Sequence, residues 1–229
     1  MRFIKKLLFH LAMTSQDLFD MKLELTSELA EIVGIIFGDG CLYLDRLNKY
    51  QTIVAFNLKE RDYLYYVKKL FETYLTGYHF CITENKDELL LRNTSIFVGK
   101  RLIKAGLKAG NKVKNRISVP KWIFNNKLFL MHFMRGLFDT DGCIYRKYGS
   151  YMQIQFKLAC KESINSVYCA LKKLSFNPSK VQEVRSKQYF AWKIYLCRQD
   201  EIRRFFDLIQ PKNMKHLNRY EKLSGDGGI

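Results

Sequence analysis

Two aspartates, Asp39 and Asp141, sit 102 positions apart in matching surroundings. Each closes an apolar run that carries small residues four positions apart: Gly34 and Gly38 before the first, Gly136 and Thr140 before the second. Each is followed by Gly, Cys, an apolar residue and Tyr. Carboxylates are hard oxygen ligands suited to a divalent cation such as Mg²⁺. A single Asp-Gly before an alternating run is an ordinary turn signal. Two copies in one frame, with the same flanks, point past the turn to paired chemistry.

The runs that carry the acids have helical spacing. Small residues one turn apart make a groove on a helix face, into which a second helix backbone can settle. Two such helices in one chain could pack groove to groove. Both would end at Asp-Gly, with Gly40 and Gly142 expected in the left-handed conformation that closes many helices. Asp39 and Asp141 would then lie at the negative ends of two helix dipoles, close enough to repel each other. Divalent cations between them would offset both penalties.

The segments downstream of each acid also repeat. Strand-like runs at 41–46 and 51–58 correspond to runs at 143–147 and 151–159. Helical patterns come next, through Tyr63, Leu64, Val67, Leu70 and Phe71 in one half, and Ile164, Val167, Leu171 and Leu174 in the other. Further strand pairs are expected at 78–84 with 88–92 and at 180–186 with 189–197, then helices at 94–105 and 200–209. The fold class is α+β, with the order α-β-β-α-β-β-α written twice. The expected division is an N-terminal extension at 1–24, a first half at 25–107, a linker at 108–124 and a second half at 125–229 with a basic C-terminus.

Charge narrows the partner. Of 229 residues, 39 are Lys or Arg and 22 are Asp or Glu, a formal +17. Such a surplus strains a compact fold by self-repulsion unless a polyanion meets it. The 48% hydrophobic content excludes a disordered basic tail. No Asp or Glu occurs from 89 to 138, a stretch rich in Lys and Arg and punctuated by Gly106, Gly110 and Pro120. Nucleic acid is the leading partner and an anionic membrane surface a distant one. No run approaches the roughly 20 apolar residues that span a bilayer. The N-terminus reads as an amphipathic helix rather than a signal peptide. The six cysteines show neither a CxxC pair nor zinc spacing, so buried free thiols in a reducing intracellular compartment are expected, not a secreted protein.

These residues resemble the two motifs of single-chain LAGLIDADG homing endonucleases. Residues 32–40 and 134–142 fill the nine motif positions, and Pro120-Lys121-Trp122-Ile123 resembles the approach to the second motif. Phe37 departs from the motif's sixth-position acid, which Asp139 keeps; the eighth-position acids are Asp39 and Asp141. The resemblance implies two antiparallel four-stranded saddle-shaped sheets over the DNA major grooves, with the motif helices at the interface. It implies a monomer with internal pseudo-symmetry, bound to a double-stranded target of roughly 20 bp, about two helical turns. Asp39 and Asp141 would hold Mg²⁺ (Mn²⁺ or Ca²⁺ in the same places) and cut one strand each, leaving short 3′ overhangs. Asp139 would be structural.

Lys59 and Lys161, at strand-to-helix junctions, are the expected basic catalytic residues. Strand alternation would turn Cys41, Tyr43, Asp45, Gln51, Ile53, Ala55 and Asn57 toward DNA in the first half. In the second it would turn Cys143, Tyr145, Lys147, Gln153, Gln155 and Lys157. Their neighbours would pack on helices. Gln and Lys suit purine edges in the major groove. In the later hairpins Arg92, Arg185, Lys187 and Lys193 would add contacts, and Lys212, Lys215, His216 and Arg219 would touch phosphates. The competing reading is a non-cleaving nucleic-acid-binding protein of the same fold, either a group I intron maturase or a transcription regulator. Retention of both eighth-position acids argues against the regulator.

Overall fold

A computed structural model describes residues 23–149, 151–185 and 190–225. Most of the expected N-terminal extension, and with it the amphipathic helix, lies outside the described residues, as does Lys187. The first repeat runs α1 (Ser27–Phe37), β1 (Gly40–Leu44), β2 (Tyr50–Asn57), α2 (Arg61–Tyr74), β3 (Cys81–Glu84), β4 (Glu88–Asn93) and α3 (Ile96–Lys104). A short helix, α4 (Lys121–Phe124), comes after the irregular stretch 105–120. The second repeat runs α5 (Lys127–Asp141), β5 (Gly142–Tyr148), β6 (Tyr151–Leu158), α6 (Lys161–Lys173), β7 (Gln182–Arg185), β8 (Phe190–Leu196) and α7 (Gln199–Ile209). A last helix, α8 (Met214–Gly225), lies beyond the repeat pattern and is not legible from it.

The repeats form two antiparallel four-stranded sheets with orders β1-β2-β4-β3 and β5-β6-β8-β7. The expected αββαββα pairing holds in both. Alternation decides which face each sheet buries. Leu42, Thr52, Val54 and Phe56 are buried, while Cys41, Tyr43, Gln51, Ile53 and Ala55 retain access to solvent. In the second sheet Ile144, Ile154, Phe156, Ile194 and Leu196 face the core. One contiguous core runs through both halves. Phe138 is at its centre, with Phe156, Phe205 and Phe206 packed edge-on to its ring.

The motif helices start at side-chain caps. The Leu29 N–H donates to Thr26 Oγ1 at 3.2 Å, and the Leu128 N–H to Asn126 Oδ1 at 2.9 Å. They then pack backbone to backbone. A Cβ on Gly34 would sit 2.2 Å from the Phe133 carbonyl oxygen, and one on Gly136 2.3 Å from that of Glu31. Buried polar groups fix the register. Glu31 accepts from Arg135 Nη1 at 3.2 Å and from the Tyr66 hydroxyl, and His132 Nδ1 lies 3.0 Å away. Arg135 Nε also donates to the Ile209 carbonyl at 2.8 Å, which ties α7 to the seam.

Two expectations fail. Gly40 and Gly142 do not take positive φ: among the described residues the glycines that do are Gly77, Gly106, Gly110 and Gly149. Gly40 and Gly142 are needed for room, because a Cβ would lie 2.4 Å from Ile36 Cα and 2.2 Å from Phe138 Cδ2. The thiols are free, as expected, but Cys41, Cys81, Cys169 and Cys197 are exposed and only Cys160 is buried. Cys41 and Cys81 occupy open-face positions of the first sheet. Among the described residues, no helix is long and apolar enough to cross a membrane.

Candidate active site at the paired helix ends

The close approach of α1 and α5 brings their C-terminal ends together. A Cβ on Gly38 would lie 2.1 Å from Thr140 Oγ1 and 3.4 Å from Asp141 Oδ2. Asp39 opens to solvent beside this contact and Asp141 is half-buried. Loss of hydration at the crowded ends raises the pKa of both. For Asp141 it reaches about 7, with the charge of Asp39 as the second cause.

Two lysines oppose these penalties. Lys112, from the stretch after α3, donates from Nζ to the Phe37 carbonyl at 3.0 Å and to the Gly38 carbonyl. It satisfies carbonyls that the end of α1 leaves without partners. Burial lowers its pKa, while Asp141 and Asp39 act in the other direction. Lys215, from α8, forms an ion pair with Glu60 at 2.7 Å and is the strongest cationic influence on Asp39. Sequence reasoning singles out neither lysine for this role. A signal exists nonetheless: each comes a few residues after the last helix of its repeat.

Asp139 is nearly inaccessible and accepts from the Lys212 and Asn213 N–H groups at 2.8 and 3.1 Å. Asn213 Nδ2 in turn donates to the Asp139 carbonyl at 3.0 Å and to Glu60 Oε1 at 2.7 Å. Burial raises the pKa of Asp139 to about 7 against those two backbone donors. Its counterpart Phe37 instead packs edge-on to Phe133, with ring centroids 5.3 Å apart. Beside the acids lies an open cleft of about 250 Å³, lined by Gly38, Lys112, Asp141, Lys157 and Ser163 among others.

The two expected catalytic lysines differ in their surroundings. Lys59 sits in a single turn of 3₁₀ helix capped by Asn57, exposed to solvent. Lys161 Nζ stacks over the Trp192 ring at 4.8 Å. Trp192 pairs with the buried Leu158 on the helix-covered face, so Lys161 points away from the open face.

The open faces hold most of the expected readout set. In the first sheet Cys41 pairs with Ile53, Tyr43 with Gln51, and Ile53 with Arg92. In the second, Cys143 pairs with Gln155, Gln155 with Tyr195, and Lys157 with Lys193. Lys193 also lies 5.3 Å over the Tyr195 ring. Lys147 is exposed at a register shift between Arg146 and Tyr148. Three expectations need correction. Asp45 organises the β1–β2 turn, accepting from the Leu47 and Lys49 N–H groups at 2.8 and 2.9 Å and from Gln51 Nε2 at 2.7 Å. Gln153 is buried, its amide held by the Tyr145 hydroxyl at 2.7 Å and Cys197 Sγ at 2.9 Å. Arg185, by contrast, keeps a largely exposed side chain, ion-paired with Glu183. His216 is buried against the Phe138 ring at 4.5 Å, and burial pushes its pKa down to about 3, so it touches no phosphate.

Two αββαββα repeats in one chain, joined through paired helices that each end at an acid, are the LAGLIDADG fold in its two-motif form. Residues 129–210 match the family described as LAGLIDADG-like domain. The chain is similar to I-DmoI solved in complex with DNA and Mn, at 15% identity and TM-score 0.60, covering 82% of this chain and 98% of that one. It is similar to the LAGLIDADG meganuclease I-AabMI bound to uncleaved DNA, at 14% identity and TM-score 0.55, covering 88% and 90%. It is also similar to full-length DUF199/WhiA from Thermatoga maritima, at 14% identity and TM-score 0.57, covering 93% of this chain and 64% of that one. No curated protein matches its sequence.

Proposed function

We propose that this chain is a metal-dependent, site-specific DNA endonuclease that makes a double-strand break with short 3′ overhangs. The observation that carries this reading is the pair of carboxylates at touching helix ends, flanked by Lys112 and Lys215. The likeness to DNA-bound I-DmoI and I-AabMI supports it.

The residues fit a hard divalent cation. Among the described residues no cluster of three or more His, Cys, Asp or Glu side chains exists to cage a metal. Two carboxylates are what the protein offers, and Mg²⁺ commonly binds through one or two carboxylates plus phosphate and water. Two carboxylates whose pKa values are both raised gain from a cation beside them. Asp39 and Asp141 would hold it, and I-DmoI was solved with Mn in the presence of DNA. The bound metal would supply Lewis-acid activation of water and of the phosphate. The chain's own groups do the rest. The open faces of the two sheets seat a duplex of roughly 20 bp, about two helical turns. Asp39 and Asp141 orient the attacking water at each scissile phosphate. Lys112 and Lys215 place positive charge where the pentavalent phosphate accumulates negative charge, a preorganised contribution.

Selection of bound duplexes from a randomised pool, then incubation of the enriched sequence with Mg²⁺, tests this reading. One discrete break with both strands cut is the expected product. Enrichment without any break in Mg²⁺ or Mn²⁺ would instead favour the non-cleaving protein of the same fold. Binding should weaken roughly a thousandfold or more between 50 and 200 mM salt if six or more phosphates are contacted. A flat salt response in a filter-binding titration would contradict the open-face interface.

A further inference from the structure

The two lysines beside the acid pair are tethered by different means. Lys112 rests on main-chain carbonyls of Phe37 and Gly38, at the end of α1 itself. Lys215 is held by a carboxylate from the opposite repeat, Glu60 Oε1, at 2.7 Å. Glu60 is itself fixed. Its Oε2 accepts from the Asn57 N–H at 2.9 Å, while Asn57 Oδ1 accepts from the Lys59 N–H at 3.0 Å. Its Oε1 also accepts from Asn213 Nδ2 at 2.7 Å, the same amide that grips the Asp139 carbonyl. A rigid path therefore links β2 of the first repeat to the C-terminal segment of the second.

The repeat predicts a second clamp at Glu162, 102 residues on from Glu60, and that clamp is missing. Ala159 replaces the capping Asn57. Glu162 faces solvent, accepts from Cys160 Sγ at 3.3 Å and lies 3.7 Å from Arg116, whose side chain is largely exposed. The lysines are also separated in space: the open cleft of about 250 Å³ is lined by Lys112 and Asp141, and not by Asp39, Glu60 or Lys215.

We infer that Glu60 is a positioning residue for one of the two cuts only: it holds Lys215 beside Asp39, and the other cut relies on Lys112 with no such clamp. The inference rests on the endonuclease reading proposed for this site. It makes the two strands chemically unequal although the acids are paired.

The test uses the full chain with Mg²⁺ and a duplex enriched from the randomised pool, each strand labelled separately. Glu60→Gln keeps one acceptor oxygen in place of two and removes the charge that holds Lys215. It should slow one strand about tenfold or more and leave the other within about twofold, so that nicked duplex accumulates. Lys215→Met should slow the same strand, and Lys112→Met the opposite one. Melting temperatures, measured in parallel, separate this pattern from general loosening, which slows both strands together. Equal slowing of both strands by Glu60→Gln, no slowing at all, or slowing of different strands by Glu60→Gln and Lys215→Met each overturns the inference while the endonuclease reading stands. A wild-type protein that cuts neither strand overturns both.

Discussion

At pH 7.5 and without divalent cations, Asp141→Asn is expected to melt several degrees above the wild-type protein. Burial and the charge of Asp39 push the Asp141 carboxyl up from 3.8 to about 7. The folded state therefore binds its proton more tightly than the unfolded state does. Between those two values the unfolded chain releases the proton first, so this group's contribution to stability is full below about pH 4 and is lost as pH rises toward 7. Asn has no proton to lose. Discounted for partial solvent screening, the gain at neutral pH is roughly 2 kcal/mol. That corresponds to about 4–8 °C for a chain of this size. The gain should shrink toward zero at pH 4, and saturating Mg²⁺ should narrow the gap at pH 7.5 by stabilising the wild-type acids. Thermal unfolding at the two pH values, with and without Mg²⁺, measures all of this. An Asn variant that melts lower than wild type at pH 7.5 without metal would show that the acid pair is not under strain.

Gly136→Ala should produce the larger structural loss. The new Cβ would sit 2.3 Å from the Glu31 carbonyl oxygen and 2.8 Å from the Ile35 nitrogen. Both are backbone atoms of a buried helix, so neither can turn aside. The helices must separate, which loosens the Glu31–Arg135 contact and leaves a buried carboxylate short of partners. A cost of about 3 kcal/mol or more is expected in a denaturant titration. Gly38→Ala meets the Thr140 Oγ1 side-chain atom at 2.1 Å rather than a backbone atom. Rotation of Thr140 can absorb part of that clash, so its cost should be smaller. Equal midpoints for wild type and Gly136→Ala would contradict the backbone-to-backbone seam.

The fold is legible in the sequence because its signals are local and doubled. Helical spacing, Asp-Gly ends and strand alternation occur twice in one frame, and the sheets follow them. The carboxylate pair is legible for the same reason. The hidden features depend on contacts between distant segments. Lys112 meets the Gly38 carbonyl across 74 positions, and nothing in its own neighbourhood distinguishes it from the other lysines of a basic stretch. Glu60 and Asn213 are 153 positions apart and meet only once the repeats are packed. Alternation places the strand faces correctly but cannot reveal which polar side chains are already occupied, as at Asp45 and Gln153.

The most direct measurement is strand scission by wild-type, Asp39→Asn, Asp141→Asn and the double variant on the enriched duplex in Mg²⁺. Binding is measured on the same samples. Wild type should cut both strands. Each single variant should lose double-strand breaks by on the order of a thousandfold, the several kcal/mol that metal activation supplies, with binding little changed. Unchanged double-strand cutting by both single variants and by the double variant would contradict the assignment of the two acids to metal-dependent cleavage.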